Sequence, residues 1–139
     1  MRFARHGQPG SERPIVSGTD GIWRDLSPVA ADVTADVLTR SESDLDLTAL
    51  APVPDITRFG PPLAGIGKIV CIGLNYRDHA RETGAPLPTE PIVFLKAPDT
   101  VVGPEDEVRI PRHSAKTDWE VELAVVIGKP ARYLPGPEA

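Results

Sequence analysis

The sequence predicts an α+β protein that is mainly β, and three observations support this prediction. Short apolar or alternating runs recur along the chain, most clearly KIVCIG, PIVFLKA and DWEVELAVVIG, and runs of this length are typical of strands. Proline accounts for 16 of 139 residues, compared with roughly 5% in ordinary proteins, and its spread along the chain fits turns and strand edges. Helical spacing is confined to a few short stretches.

A small front module with a Pro/Gly-rich linker is predicted over residues 1–65. Its first strand is predicted at MRFARHG. The runs RPIVSG and GIWRDL flank Thr19-Asp20-Gly21, and turn residues between two apolar runs predict a hairpin. Ser27 before a proline is typical of a helix start, and valines recurring every four residues from Val29 predict an amphipathic helix over about residues 28–40. SDLDLTALAP is expected to add another helical turn.

Residues 66–139 are predicted to form the first part of a second, β-rich domain. KIVCIG and PIVFLKA are predicted as strands, with Cys71 buried in the first of them. NYRDHARETG between them is predicted as a helix that ends at Gly84. A turn and a short strand are expected in VVGPEDEVRIP, followed by a long strand in DWEVELAVVIG.

The last predicted strand carries three acidic residues at alternate positions. In an extended strand Asp118, Glu120 and Glu122 share one face, with neighbours roughly 6.6 Å apart. This pattern is compatible with the solvated outer face of an edge strand or with a site for a hard cation. The apolar AVVI that follows predicts burial on both faces, and buried carboxylates require a cation, which favours the second interpretation.

Three further residues are candidates for catalysis. His79 and Glu82 are three residues apart on the predicted helix, so they share a face and are expected to be able to hydrogen-bond. A carboxylate that orients an imidazole raises its basicity, as a general base requires; a surface His–Glu pair is the alternative. Lys96 ends an apolar strand, where a lysine either reaches the edge or meets an anionic group.

Composition narrows the possible functions. The net charge of −5 argues against nucleic acid or an anionic membrane as a partner. No apolar run approaches the roughly 18 residues of a membrane span, and the first residues carry no signal-type apolar region. The single cysteine excludes an internal disulfide. We therefore expect a cytoplasmic protein.

With these residues in view, the segment from about Gly67 to Tyr133 resembles the fumarylacetoacetate hydrolase family. The resemblance rests on the order and spacing of KIVCIGLNYRDHARE, PIVFLKAPDTVVGPEDEVRIP and KTDWEVELAVVIGK. The front module is similar to the N-terminal part of bacterial members described as ureidoglycolate lyases or diketo-deoxy sugar acid hydrolases.

The resemblance implies a role for each candidate residue. Glu120 and Glu122 match the paired glutamates that hold a divalent cation, Mg²⁺ or Mn²⁺, with Ca²⁺ also possible. His79 matches the histidine that activates water, Glu82 matches its acidic partner, and Lys96 matches a lysine that faces the site. The family's third metal carboxylate, an aspartate of a later strand, has no counterpart in this chain, and we expect the chain to be the front part of a longer protein.

The implied activity is hydrolysis of a C–C bond in a 2-keto acid or 1,3-diketone, with a metal-stabilised enolate as the leaving group. The family also contains chemistry of the lyase, decarboxylase and isomerase types, acting on ureidoglycolate, oxaloacetate or a dienedioate, and these alternatives stay open. A non-catalytic fragment is a further alternative. The resemblance implies a small-molecule keto acid as the substrate and a homodimer for the complete protein.

Overall fold

The computed structural model describes residues 1–136 and shows a mainly β protein with one α-helix. The three residues 137–139 at the end of the predicted second domain lie outside the described range. In chain order, the regular elements are β1 (Arg2–His6), β2 (Arg13–Ser17), β3 (Trp23–Asp25), β4 (Ile69–Gly73), α1 (Arg77–Thr83) and β5 (Ile92–Lys96). Four single 3-10 turns complete the list, at Val37–Thr39, Glu42–Asp44, Leu47–Ala49 and Pro98–Thr100.

The chain forms two compact units. Among the described residues, the first contains residues 1–64 together with residues 102–136, and the second contains residues 65–101. The predicted domain division of 1–65 and 66–139 stays a prediction, because contacts within a chain do not decide which segments fold alone.

An antiparallel sheet of β1, β2 and β3 forms the centre of the first unit. In β2 and β3, Ser17 pairs with Trp23, which confirms the predicted hairpin. Gly21 has a φ of 75° at the turn. The Asp20 carboxylate accepts hydrogen bonds from the backbone N–H of Ile22 at 3.0 Å and from the Arg24 side chain at 2.6 Å. The turn is therefore fixed by its own sequence.

The hydrophobic core of the first unit lies against β2. Ile15 and Val16 of that strand are fully buried, as are Leu26 and Val33 from the segments that follow. Val16 and Leu26 pack in one cluster with Val37 from the first 3-10 turn and with Leu45 and Leu50, which directly follow the next two turns. Burial of apolar surface stabilises such a core by roughly 25 cal/mol per Å².

The predicted helix over residues 28–40 is wrong. The backbone N–H groups of Val29 and Ala30 both donate to the carbonyl of Leu26 at 3.0 Å, so one turn begins, but it does not continue. Val29 is 46% exposed whereas Val33 is fully buried, which means that the valines do not form one apolar stripe. Asp32 instead turns its carboxylate to Arg5, at 2.7 and 3.0 Å, and only a 3-10 turn forms at Val37–Thr39. The helical turn expected in SDLDLTALAP forms as two 3-10 turns.

A chain of charged side chains joins β1 to the segment after residue 101. Arg5, besides bonding Asp32, lies 3.6 Å from Glu12, whose side chain is only 5% exposed. Arg58 donates to Glu12 at 3.0 Å and to both oxygens of Asp106 at 2.7 and 2.6 Å. Opposite charges thus compensate one another where they are withdrawn from water. The network holds the turn that contains Asp106 against the front of the chain.

Close backbone packing reinforces this attachment at Gly103. A Cβ atom on Gly103 would lie 2.2 Å from the carbonyl oxygen of Phe59, so any side chain there would clash with backbone. The Gly103 N–H donates to the Asp106 carboxylate at 2.7 Å. The glycine therefore allows the turn to lie directly on the chain at Phe59.

The second unit consists of β4, α1 and β5, and all three confirm the prediction. β4 and β5 pair antiparallel, with Ile69 opposite Lys96 and Gly73 opposite Ile92. α1 ends at Gly84, which has a φ of 68° and donates its N–H to carbonyls of the last turn. Cys71, expected to be buried, is only half-buried.

The predicted strand over residues 118–128 is wrong, and so is the short strand predicted before it. No strand is present between residues 101 and 136. Trp119 is 85% exposed and Val121 is 87% exposed, with a φ of 39° that breaks the alternation of side chains. A strand requires a partner for its backbone N–H and C=O groups, and no described strand pairs with this segment. No helix among the described residues has the length and apolar character needed to cross a membrane.

Candidate functional site

Two of the candidate catalytic residues lie on α1. His79 and Glu82 are both exposed to solvent, one turn apart on a helix whose C-terminus is fixed by Gly84. The hydroxyl of Thr83 donates to the backbone carbonyl of His79 at 2.9 Å. In the described part of the chain no hydrogen bond or ion pair joins the His79 imidazole to the Glu82 carboxylate. The two side chains therefore share a helix face but are not bonded to each other.

Lys96 is the last residue of β5 and belongs to the same unit as α1. Its pairing with Ile69, the first residue of β4, fixes the position of its backbone. All five residues of β5 are exposed, so the strand presents Lys96 to solvent beside Phe94 and Leu95. An ammonium group on an exposed apolar strand is accessible to an anionic ligand.

Glu120 and Glu122 belong to the first unit and are both exposed. Their carboxylate oxygens are the donor type that Mg²⁺, Mn²⁺ and Ca²⁺ take, and Mg²⁺ commonly uses only one or two protein carboxylates beside water and substrate oxygens. In donor chemistry the pair therefore fits a hard divalent cation. Among residues 1–136 no group of three His, Cys, Asp or Glu side chains is gathered where it could hold a metal ion.

A pocket of about 330 Å³ opens in the second unit beside α1. Leu74 lies at the point where the chain leaves β4, and its φ of 46° is unusual for a residue with a side chain. The pocket is lined by the residues around Leu74 and by the loop before β5, namely Ile72, Gly73, Leu74, Asn75, Arg77, Leu87, Pro88, Thr89, Glu90 and Pro91. The sequence interpretation did not identify it, because its two walls are separated by the whole of α1.

Comparison with known proteins identifies the family. The model of the family described as fumarylacetoacetate (FAA) hydrolase, C-terminal, matches residues 68–139, which is more than half of the chain. The chain belongs to the fumarylacetoacetate hydrolase family. The match covers α1, β4 and β5 as well as the segment that carries Glu120 and Glu122.

Individual fumarylacetoacetate hydrolase relatives extend the similarity to the front of the chain. A 2,4-didehydro-3-deoxy-L-rhamnonate hydrolase of Sphingomonas sp. (strain SKA58) is 48% identical over 139 residues, which is 100% of this chain and 48% of that protein. A putative hydrolase of Burkholderia multivorans is 45% identical over 136 residues, covering 95% of this chain and 48% of the relative. The chain thus spans about half the length of these relatives.

A solved structure supports the same fold. Fumarylacetoacetate hydrolase from psychrophilic Exiguobacterium antarcticum aligns with a TM-score of 0.54 at 29% sequence identity, over 73% of this chain and 37% of that one. The mainly β architecture of this chain is therefore that of part of a fumarylacetoacetate hydrolase fold.

The ion-pair network of the first unit was not found from the sequence. Hydrogen bonding to Arg58 holds the pKa of Asp106 at about 2, below its ordinary value of 3.8. The hydrogen bonds that Arg58 donates to Asp106 and then to Glu12 raise the pKa of Arg58. Residues 58 and 106 are 48 positions apart, and no local spacing marks them as partners. In this family member the network is structural, since it holds loops together rather than lining a pocket.

Proposed function

We propose that this protein is a divalent-metal-dependent hydrolase that cleaves a C–C bond in a 2-keto acid or 1,3-diketone of the acylpyruvate or diketo-deoxy sugar acid type. The observation that supports it is the 48% identity, along the entire chain, with a relative named 2,4-didehydro-3-deoxy-L-rhamnonate hydrolase. That name describes a substrate with two keto groups on a sugar-acid skeleton, which matches the class implied by the motifs around His79 and Glu120.

Glu120 and Glu122 would hold the divalent cation, Mg²⁺ or Mn²⁺, with Ca²⁺ as the other candidate. Their oxygen donors and exposure to solvent are compatible with a hydrated hard cation. When bound, the cation would supply positive charge to the keto-acid end of the substrate.

His79 would act as the general base. Its imidazole would take a proton from water while the water oxygen bonds to the carbon of the distal carbonyl, and Glu82 would orient the ring. The C–C bond then breaks, its electron pair stays on the keto-acid fragment, and the proton is returned to that carbon. The products are a carboxylic acid and a 2-keto acid, so all atoms of the substrate and one water are accounted for.

Lys96 would bind the anionic end of the substrate. An ammonium group that faces a carboxylate provides charge-assisted hydrogen bonds, and an exposed position at the end of β5 leaves it accessible. Its role would be in binding and orientation, so Lys96→Ala is expected to raise KM more than it lowers kcat.

The test measures turnover of acylpyruvates and of 2,4-didehydro-3-deoxy-L-rhamnonate. Oxaloacetate and ureidoglycolate are assayed separately as alternative substrates. We expect pyruvate or its analogue to be released in the presence of Mg²⁺ and not in EDTA. In the complete protein, His79→Ala should lower kcat on the order of 10²–10⁴-fold, whereas His113→Ala, which changes an exposed loop histidine, should leave it unchanged.

Three results would contradict the proposal. Equal activity with and without EDTA would show that the reaction needs no metal. An unchanged kcat in His79→Ala would show that His79 is not the general base. Turnover of oxaloacetate or ureidoglycolate, without turnover of the diketo acids, would assign the protein to the decarboxylases or lyases of the family instead.

A further inference from the structure

The pocket of the second unit is lined by one arginine and one glutamate whose side chains pair with no other described residue of the chain. Among the described residues no hydrogen bond or ion pair engages the side chain of Arg77 or of Glu90. The other arginine of α1, Arg81, is instead paired with Asp78 at 2.5 Å. A guanidinium and a carboxylate that line the same pocket without pairing are both available to a ligand.

The walls of the pocket contain two prolines and one residue in an unusual backbone conformation. Leu74 is held at a φ of 46°, and non-glycine residues in this conformation are often found at functional sites. Pro88 and Pro91 form part of the opposite wall, and their rings fix the φ angle of the loop. Fixed φ angles at these two positions reduce the conformational entropy that the loop loses when a ligand binds, which favours binding.

The lining also limits the class of ligand. An arginine side chain binds carboxylates through paired N–H donors, so an organic acid fits Arg77. Glu90 would repel a second carboxylate but accepts a hydrogen bond from a hydroxyl. Leu74 and Leu87 provide apolar contact for the carbon chain. The volume of about 330 Å³ lies at the lower end of the range of roughly 300–1,000 Å³ for small-molecule sites.

We propose that this pocket binds a small hydroxylated monocarboxylate, with its carboxylate on Arg77 and a hydroxyl on Glu90. This assignment of the ligand rests on the proposed function. In that reaction the pocket selects sugar-acid substrates over simple acylpyruvates. Arg77 and Glu90 are then specificity residues, separate from His79, Glu82 and Lys96.

The experiment is an NMR titration of the backbone amides of Leu74, Asn75 and Thr89, performed in EDTA. The probes are gluconate, hexanoate and glucitol, which share six carbons and differ in which groups they carry. Gluconate is expected to give saturable shifts at these amides. Hexanoate, which lacks hydroxyls, and glucitol, which lacks the carboxylate, should each bind at least about tenfold more weakly.

Matched variants test the two residues. Arg77→Ala should weaken gluconate binding by roughly tenfold or more, whereas Arg81→Ala, which removes an arginine of the same helix outside the pocket, should leave it unchanged. Glu90→Gln should weaken binding of gluconate but not of hexanoate. Both pocket residues are exposed, so the variants are expected to fold, and the amide spectrum of each shows whether they do.

Absence of saturable shifts with gluconate, equal binding of glucitol, or an unchanged affinity in Arg77→Ala would each overturn the proposal. Gluconate has no keto group to cleave and EDTA removes metal, so the result does not depend on turnover. Turnover of the diketo substrates without gluconate binding would overturn the assignment of the pocket and leave the proposed function unaffected. Gluconate binding without turnover would leave the pocket as a hydroxy-acid site in a protein of another function.

Discussion

At the scale of single residues, the pair of Arg58 and Asp106 should make the stability of the protein depend on pH in the acid range. The pair forms two hydrogen bonds at 2.7 and 2.6 Å. These bonds hold the folded-state pKa of Asp106 at about 2, below the ordinary 3.8. Since the folded-state value is the lower one, the contribution to stability is fully present above the unfolded pKa and is lost as the pH falls through the folded pKa.

We therefore expect the urea midpoint of the wild type to fall between about pH 4 and about pH 2, in the window set by these two pKa values. Asp106→Asn should have a lower midpoint than the wild type at pH 7, and its profile should be flatter in that acid window. Asp55→Asn, at an exposed acid without an ion pair among the described residues, serves as the control. Parallel profiles for the wild type and Asp106→Asn would contradict this role of the pair.

Individual residues differ in how far the sequence could predict them. His79, Glu82 and Lys96 could be named as candidates because each lies in a helix or strand with a local signature. Arg58 and Asp106 carry no such signature, since their partnership depends on a loop closing over 48 residues. The pocket lined by Arg77 and Glu90 was also missed, because its lining residues come from the segment at the start of α1 and from the loop before β5 and share no sequence period.

At the scale of elements, α1 should depend on its C-terminal cap. Gly84 has a φ of 68°, where a residue with a Cβ atom is strained by about 1–2 kcal/mol. Open space surrounds the position of the missing side chain, so strain is the only cost. Gly84→Ala is expected to be destabilised by about that amount in urea denaturation, while Gly84→Asn should retain more stability because Asn tolerates this conformation.

Gly67→Ala is the control for the cap. This glycine also has open space around it, but its φ is not in the left-handed region, so the substitution should change stability by no more than about 0.5 kcal/mol. Equal effects at Gly67 and Gly84 would mean that the left-handed conformation does not carry the cost.

Elements with local signals were predicted correctly, as were the paired strands β4 and β5, whereas the helix expected over residues 28–40 and the strand expected over residues 118–128 were not. The hairpin around Gly21 and the helix that ends at Gly84 contain their own turn and cap residues, so no distant partner is needed. The helix expected over residues 28–40 is absent, and Asp32 within that segment binds Arg5 of β1, a distant partner that local spacing does not reveal. The strand expected over residues 118–128 has an apolar pattern, but a pattern does not supply the neighbouring strand that its backbone requires.

At the scale of the whole molecule, the segment from Trp119 to Ile127 leaves an unusual amount of apolar surface in contact with water. Leu123 is 82% exposed, Val125 is 77% exposed and Ile127 is 71% exposed. Exposed apolar patches of this kind are typical of interaction surfaces or of sites of aggregation. Such a surface is compatible with the homodimer that the resemblance to the family implies for the complete protein.

We expect the 139-residue chain to self-associate through this segment. Sedimentation velocity over a range of concentrations should show species larger than the 14.9 kDa chain, because burying these side chains against a second copy removes apolar surface from water. The double variant Val125→Lys with Ile127→Lys should shift the distribution toward monomer, since each lysine would place a charge in the contact.

The control is Glu105→Gln with Glu107→Gln, which neutralises two exposed acidic positions outside the segment. This variant separates the loss of apolar contact from a change in overall charge, because both double variants raise the net charge by the same amount. A monomeric wild type at every concentration would show that the exposed segment does not drive association. Equal dissociation in both double variants would show that charge, rather than apolar burial, controls it; a response of the 125–127 variant alone would place the contact on the segment that carries Glu120 and Glu122.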